Sequence, residues 1–180
     1  MTADLQPFVV QTPRLTLSDF GSDDWRIARA EWGVPQIARM MSTVRAPWSE
    51  DQVRHWIDSR RFRGEPGFGT AVRTKAGDLI GTVGFDGAPA SIGYLFGLKH
   101  WGQGYATEAI GGFVRAIFDR FAQVASIDAS VMDDNPASAR VLTKLGFRTA
   151  GCGECNSHAR LEPVPNTLYR VDRNTLKVVT

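Results

Sequence analysis

Cysteine is scarce in this chain. Only Cys152 and Cys155 occur among 180 residues, too few for a disulfide framework. With His158 they lack the second ligand pair of a zinc site, and residues three apart on a strand face opposite sides. No metal is expected. Long apolar runs are also missing, since none approaches the ~20 residues that span a bilayer, and no membrane partner follows. The start of the chain, with Asp4 and Gln6, lacks the basic-then-apolar order of a secretory leader. Nor is there an excess of one charge. Lys and Arg number 21 against 19 Asp and Glu, a net of +2, which argues against nucleic acid or an anionic surface as partner. No repeat, linker or low-complexity tract interrupts the chain. These absences point to a cytoplasmic, reduced protein. The 43% hydrophobic content suffices for one domain over residues 1–180 with a substantial core.

The stretch Lys99-His100-Trp101-Gly102-Gln103-Gly104-Tyr105-Ala106-Thr107 is the most informative. A strand-like run, residues 91–98, precedes it. An amphipathic helix over 104–121 follows, with Ala109, Ile110, Phe113, Val114, Ile117 and Phe118 on one side. A strand, a glycine turn and a helix start make an anion site, because the first-turn N–H groups are free and the helix dipole is positive there. Residues 100–107 are therefore expected to cradle a phosphate or pyrophosphate; the bland alternative is an ordinary β-to-α turn. The spacing is neither that of a dinucleotide-binding fingerprint nor that of a P-loop, since Thr107 and Tyr105 stand at the diagnostic positions.

Around this stretch, residues 1–12 read as a polar arm and 14–20 alternate as a strand. Ser22 or Asp23 caps a helix reaching Trp32, Pro35 starts a short helix, and Ser49 with Gln52 forms a capping box. The helix that follows carries Arg54, Arg60, Arg61 and Arg63. A solvated face is the expectation; recognition of an acidic substrate is the alternative. Residues 67–73, 79–85 and 91–98 should form an antiparallel meander with turns at 75–78 and 86–90. The strand 125–132 after the long helix should pair in parallel with 91–98. Asn135 and Pro136 start a helix that Gly146 ends, with Ala139, Leu142 and Leu145 inward. Strands near 147–155 and 168–172 close the chain around a polar excursion at 156–166. The fold class is mixed α/β (α+β): a bent, mostly antiparallel sheet with one central parallel pair and helices on both faces.

The motifs Trp101-Gly102-Gln103-Gly104-Tyr105-Ala106, Ile92-Gly93-Tyr94, Asn135-Pro136-Ala137-Ser138 and Lys144-Leu145-Gly146-Phe147, with Thr12-Pro13-Arg14-Leu15-Thr16-Leu17 at the start, resemble the GNAT superfamily of acyl-CoA-dependent N-acyltransferases. Within it the chain is most similar to the Rim-type (RimJ/RimL) ribosomal-protein N-terminal acetyltransferases. The resemblance covers about residues 12–175. It implies the GNAT fold and acetyl-CoA as acyl donor. The implied coenzyme contacts are Phe96, Leu98, Lys99, Trp101, Gly102, Gln103, Gly104, Tyr105, Ala106, Asn135, Ser138 and Lys144. Strands 91–98 and 125–132 should start paired and then splay, with the pantetheine arm between them held by backbone groups of Phe96 to Lys99. Lys99 departs from the Gln or Arg usual in relatives yet keeps a positive charge.

The implied reaction is aminolysis of a thioester by a neutral amine. At a pH of about 7 an α-amine is about 10% neutral but a lysine only about 0.04%, so an N-terminal acceptor needs less help. The Tyr that serves as acid in many relatives is replaced by Leu142; the Rim-type resemblance implies Ser138 of Asn-Pro-Ala-Ser as the acid instead, with a helix-surface serine bonded to its own backbone as the alternative. The Glu that often precedes Ile-Gly-Tyr is replaced by Ser91. Glu154, on the strand that borders the acceptor cleft in relatives, is the base the resemblance implies, ahead of Asp86, Asp133 and His158, with a water chain as the alternative. Trp25, Trp32, Trp48 and Trp56 are assigned mainly to the core, with one or two lining the acceptor pocket. Three readings stand: an acetyltransferase for a peptide or protein α-amine, one for a small amine such as a polyamine, amino acid or antibiotic, and a non-catalytic acyl-CoA sensor. A monomer or homodimer is expected.

Overall fold

Leu15 and Leu17 alternate with Thr16 and Ser18, and that period of two makes a strand whose leucines are fully buried. The same alternation builds most of the sheet in this computed structural model, which describes residues 6–177. The strands are β1 (Val10–Gln11), β2 (Leu15–Ser18), β3 (Phe68–Thr74), β4 (Leu79–Gly87), β5 (Ala90–Phe96), β6 (Ser126–Met132), β7 (Arg148–Cys155) and β8 (Val164–Asp172). Their order across the sheet is β1-β2-β3-β4-β5-β6-β8-β7. Every pairing is antiparallel except β5 with β6, as a strand–helix–strand connection requires.

The helices are α1 (Asp24–Ile27), which widens into a π turn over Ala28–Trp32, α2 (Pro35–Ala38), α3 (Glu50–Asp58), α4 (Tyr105–Arg120) and α5 (Pro136–Lys144). The capping box expected at Ser49 is present. Ser49 Oγ accepts from the Gln52 N–H, and the Gln52 side chain accepts from the Ser49 N–H. Ile110, Phe113, Val114 and Ile117 of α4 are fully buried against one sheet face together with Leu142 and Leu145. A second core covers the other face, where Trp32, Ile37, Val53 and Ile57 from α1–α3 meet Ala71, Leu79 and Leu95. Among the described residues no helix is long and apolar enough to cross a membrane.

Four expectations need correction. The arm before residue 12 is not simply polar, although residues 1–5 lie outside the described residues. Phe8 is buried among Phe62, Phe68 and Phe113, with ring centroids 4.8 Å apart at Phe68, and Val10 starts β1. The expected turn at 86–90 is shorter, because Asp86 and Gly87 pair with Ser91 and Ala90 inside the hairpin. Strand β8 begins at Val164, so the polar excursion is shorter too. Finally, β5 ends at Phe96; Leu98–His100 form a single 3-10 turn, closed by the His100 and Trp101 N–H groups on the Gly97 and Leu98 carbonyls.

Candidate active site

Strands β5 and β6 share a single register pair, Ser91 with Asp128, and then diverge. The divergence leaves one edge of β5 open. The Gly97 N–H donates to the Ile80 carbonyl across the β4 side at 3.0 Å. Backbone groups alternate along an antiparallel strand, so those of Leu95 and Gly93 also turn toward β4. Those of Tyr94 and Phe96 turn into the gap. A cavity of about 680 Å³ fills this gap and reaches both faces of the sheet.

On the α4 face the cavity is lined by Trp101, Gly102, Gly104, Tyr105 and Ala106. Gly102 and Gly104 adopt φ of +74° and +79°, a conformation that side chains with a Cβ resist. They lie at the start of α4, whose first-turn residues Tyr105, Ala106 and Thr107 line the cavity, and the free N–H groups of a helix's first turn suit a phosphate. Arg14 braces the loop from outside. Its Nε meets Glu108 at 2.6 Å, its Nη1 donates to the Gln103 carbonyl at 3.0 Å, and its guanidinium lies 4.6 Å from the Tyr105 ring centroid. Arg14 was absent from the expected site, although its motif was among those that carry the resemblance. The Gln103 side chain donates to the Lys99 carbonyl and does not line the cavity. Lys99 does not line it either: its ammonium is held by Glu31 at 2.6 Å. Leu98 is exposed and off the wall. The Phe96 carbonyl, which was expected to hold pantetheine, accepts from the Trp101 indole at 2.7 Å. The backbone edge open to a ligand is therefore the Tyr94 groups and the Phe96 N–H. Positive charge at this mouth comes instead from Arg140 and Lys144 of α5.

Asn135 caps α5, accepting from the Ser138 N–H at 3.2 Å, and Pro136 follows at the first helical position. The cap holds Ser138 at the cavity wall, where its hydroxyl hydrogen-bonds the Tyr94 phenol. Burial pushes the Tyr94 pKa up to about 12, against the opposing effect of the Ser138 hydrogen bond. The phenol thus stays protonated across the neutral range. Tyr94 was missed as a functional residue because its position in Ile-Gly-Tyr says nothing about which helix meets it.

On the α1–α3 face the wall includes Ile37, Met41, Trp56, Arg60, Thr82, Gly84, Asp86 and Ser91. Asp86 and Ser91 are register partners, and cross-strand partners project on the same face. Asp86 therefore stands beside the position where relatives carry their Glu. Among the described residues it is the one carboxylate on the wall. Glu154 is exposed and off the wall; alternation along β7 turns its neighbour Cys155 there instead. Asp133 and His158 are also off the wall. Burial raises the Cys155 pKa, and no cluster of metal-ligating side chains occurs among the described residues. Of the tryptophans in the first third of the chain only Trp56 reaches the cavity; Trp25, Trp32 and Trp48 are core. Arg54 and Arg61 are solvated partners of Glu50 and Asp58 and Arg63 is exposed, but Arg60 is not on a solvated face.

An open β5 edge beside a glycine-built helix start is the arrangement expected of an acyl-coenzyme A site. The acetyltransferase (GNAT) domain model matches residues 14–148. The "Uncharacterized N-acetyltransferase YoaA" of Bacillus subtilis is 32% identical over 143 residues, covering 77% of this chain and 73% of that one. The "Uncharacterized N-acetyltransferase p20" of Bacillus licheniformis is 28% identical over 149 residues, covering 78% and 82%. Among solved structures, a GNAT-family acetyltransferase from Bacillus anthracis superposes with a TM-score of 0.80 at 21% identity, covering 93% and 99%. Mycobacterium smegmatis RimJ with CoA-disulfide gives 0.74 at 19%, covering 93% and 88%. Spermidine N-acetyltransferase from Vibrio cholerae with CoA and spermine gives 0.72 at 16%, covering 91% and 98%. The chain belongs to the GNAT acetyltransferase family. It is an acetyl-CoA-dependent N-acetyltransferase.

Proposed function

We propose that this enzyme acetylates an α-amine, of a peptide or protein N-terminus or of a small amino compound, with acetyl-CoA entering from the α4 face and the amine from the α1–α3 face. The observation that carries this reading is the wall of the acceptor side, which offers one carboxylate, Asp86, among the described residues. One carboxylate suits an amine that is already partly neutral near pH about 7. It is a poor receptor for a polycation, which would need several. The resemblance to Rim-type enzymes points the same way.

The first-turn N–H groups of α4 hold the pyrophosphate, with Arg140 and Lys144 at the same mouth. The Tyr94 groups and the Phe96 N–H extend the sheet to the pantetheine arm. One of those N–H groups also faces the charge that develops on the carbonyl oxygen. Ser138, held by Asn135 and hydrogen-bonded to Tyr94, supplies a proton to the departing thiolate. Asp86 receives the proton of the attacking amine, directly or through water.

Thiol release from acetyl-CoA over a panel of N-terminal peptides, amino acids and polyamines tests this reading. Turnover should be fastest with α-amines. Faster turnover with spermidine than with any α-amine contradicts the acceptor class. No turnover with any amine despite tight coenzyme binding supports a sensor instead.

A further inference from the structure

Arg60 is the one arginine of its segment turned inward. Its backbone is fixed on both sides, with its N–H on the Ile57 carbonyl at 3.0 Å and its carbonyl accepting from Gly69 at 2.8 Å. The side chain then runs across β3 and β4. A Cβ on Gly69 would meet its Cδ at 3.4 Å, and a Cβ on Gly84 would meet Nη1 at 3.1 Å. The guanidinium lies 4.4 Å from the Trp56 ring centroid, inside the acceptor half of the cavity.

Among the described residues this cation has an aromatic neighbour but no hydrogen-bonded one. Its Nε is buried without a hydrogen bond among the described residues, and Asp86 lies close enough to favour its charge. Burial lowers its pKa, the direction expected when a charge is desolvated. A buried donor left open is costly, and a planar guanidinium matches a carboxylate in fork geometry. Space for such a group exists beside it. Gly84 pairs with Gly93, and a Cβ built on Gly93 meets nothing within 4 Å. Asp86, two residues along the same face of β4, lies on the same wall for the amine.

We propose that Arg60 is a specificity-determining residue that binds a carboxylate carried by the acceptor close to its reacting amine. This rests on the reading of the cavity's α1–α3 half as the amine site. The carboxylate has two sources, a free amino acid or the acidic side chain of a peptide's first residues. The guanidinium also repels polyamines.

The test uses matched acceptors: an amino acid and its carboxamide, and peptides beginning with Asp or Glu and with Asn or Gln. Acetylation kinetics and equilibrium binding by calorimetry are measured for the full chain, for Arg60→Met and for Arg60→Lys, with the KM for acetyl-CoA as a check on folding. The wild type should favour the acid over its amide by about tenfold to a hundredfold in kcat/KM, mainly through KM. Arg60→Met should bring that ratio near one, and Arg60→Lys should restore part of it. Whichever pair shows the effect identifies the source. A wild-type ratio near one, a ratio unchanged in Arg60→Met, or no binding by any carboxylate overturns the proposal. Carboxylate binding that depends on Arg60 without any acetylation would sustain it while removing the amine reading. Acetylation indifferent to the carboxylate does the reverse.

Discussion

At the scale of single residues, the proposed chemistry turns on one contact across the sheet gap. Ser138 and Tyr94 come from different elements and share one hydrogen bond. Ser138→Ala should lower kcat by about a hundredfold, the low end for loss of a positioned proton donor, while the KM for acetyl-CoA changes little. Tyr94→Phe should act in the same direction, and the double variant should lose less than the product of the two, because the pair acts as a unit. Additive losses in this double-mutant cycle would mean that the hydroxyls work separately. Asp86→Asn should lower kcat/KM most at low pH, and the loss should shrink as the amine sheds its own proton at high pH. A loss independent of pH would make Asp86 a binding group rather than a proton acceptor. The sequence named Ser138 but ranked Glu154 above Asp86. The structure puts Asp86, not Glu154, on the cavity wall. Asp86 was placed in a turn, whereas the β4–β5 ladder continues through it and sets it beside Ser91.

At the scale of elements, the start of α5 does two jobs that substitution can separate. Asn135→Ala removes the side-chain cap and should cost about 1 kcal/mol in urea unfolding. Asn135→Ser keeps a capping oxygen and should recover most of that stability. If coenzyme affinity stays low in the serine variant, the amide also holds the coenzyme; full recovery of affinity would leave it only a cap. Gly104→Glu should abolish coenzyme binding, since it adds a side chain at φ +79° and a negative charge at the helix start. Most elements were legible because their signals are local. The capping box at Ser49, the Asn135-Pro136 start and the 3–4 spacing of Ile110, Phe113, Val114 and Ile117 need no distant partner. The residues that misled are those whose fate depends on one. Lys99 is drawn from the coenzyme loop by Glu31, 68 positions earlier. Arg60 leaves the solvated set because glycines at 69 and 84 make a path for it across the sheet. Nothing in a helical arginine run encodes either outcome.

At the scale of the whole molecule, one opened seam in the sheet joins the α4 side of the cavity, proposed for the coenzyme, to the α1–α3 side, proposed for the acceptor. On the α4 side, Glu108 is tied to the segment that leads into β2 by a partly exposed ion pair with Arg14. Burial by itself would raise the Glu108 pKa, but hydrogen bonds from Thr12 and from the Arg14 backbone and guanidinium more than offset it and hold it below its ordinary value. Such a carboxylate adds stability above its unfolded pKa and loses it as pH falls through its folded one. Glu108→Gln should therefore reduce stability near neutrality and flatten the acid limb of the unfolding curve, measured by urea denaturation across pH. An acid limb as steep as the wild type's would mean that the ties from Arg14 and Thr12 carry no linkage. The seam itself is open to one direct observation, a crystal structure with coenzyme A. The expected result is pyrophosphate on residues 102–106, pantetheine along the Tyr94–Phe96 edge, and the sulfur within hydrogen-bonding reach of Ser138 with the Asp86 wall open on the far side. Pyrophosphate bound away from that loop, or a sulfur remote from Ser138, would contradict it.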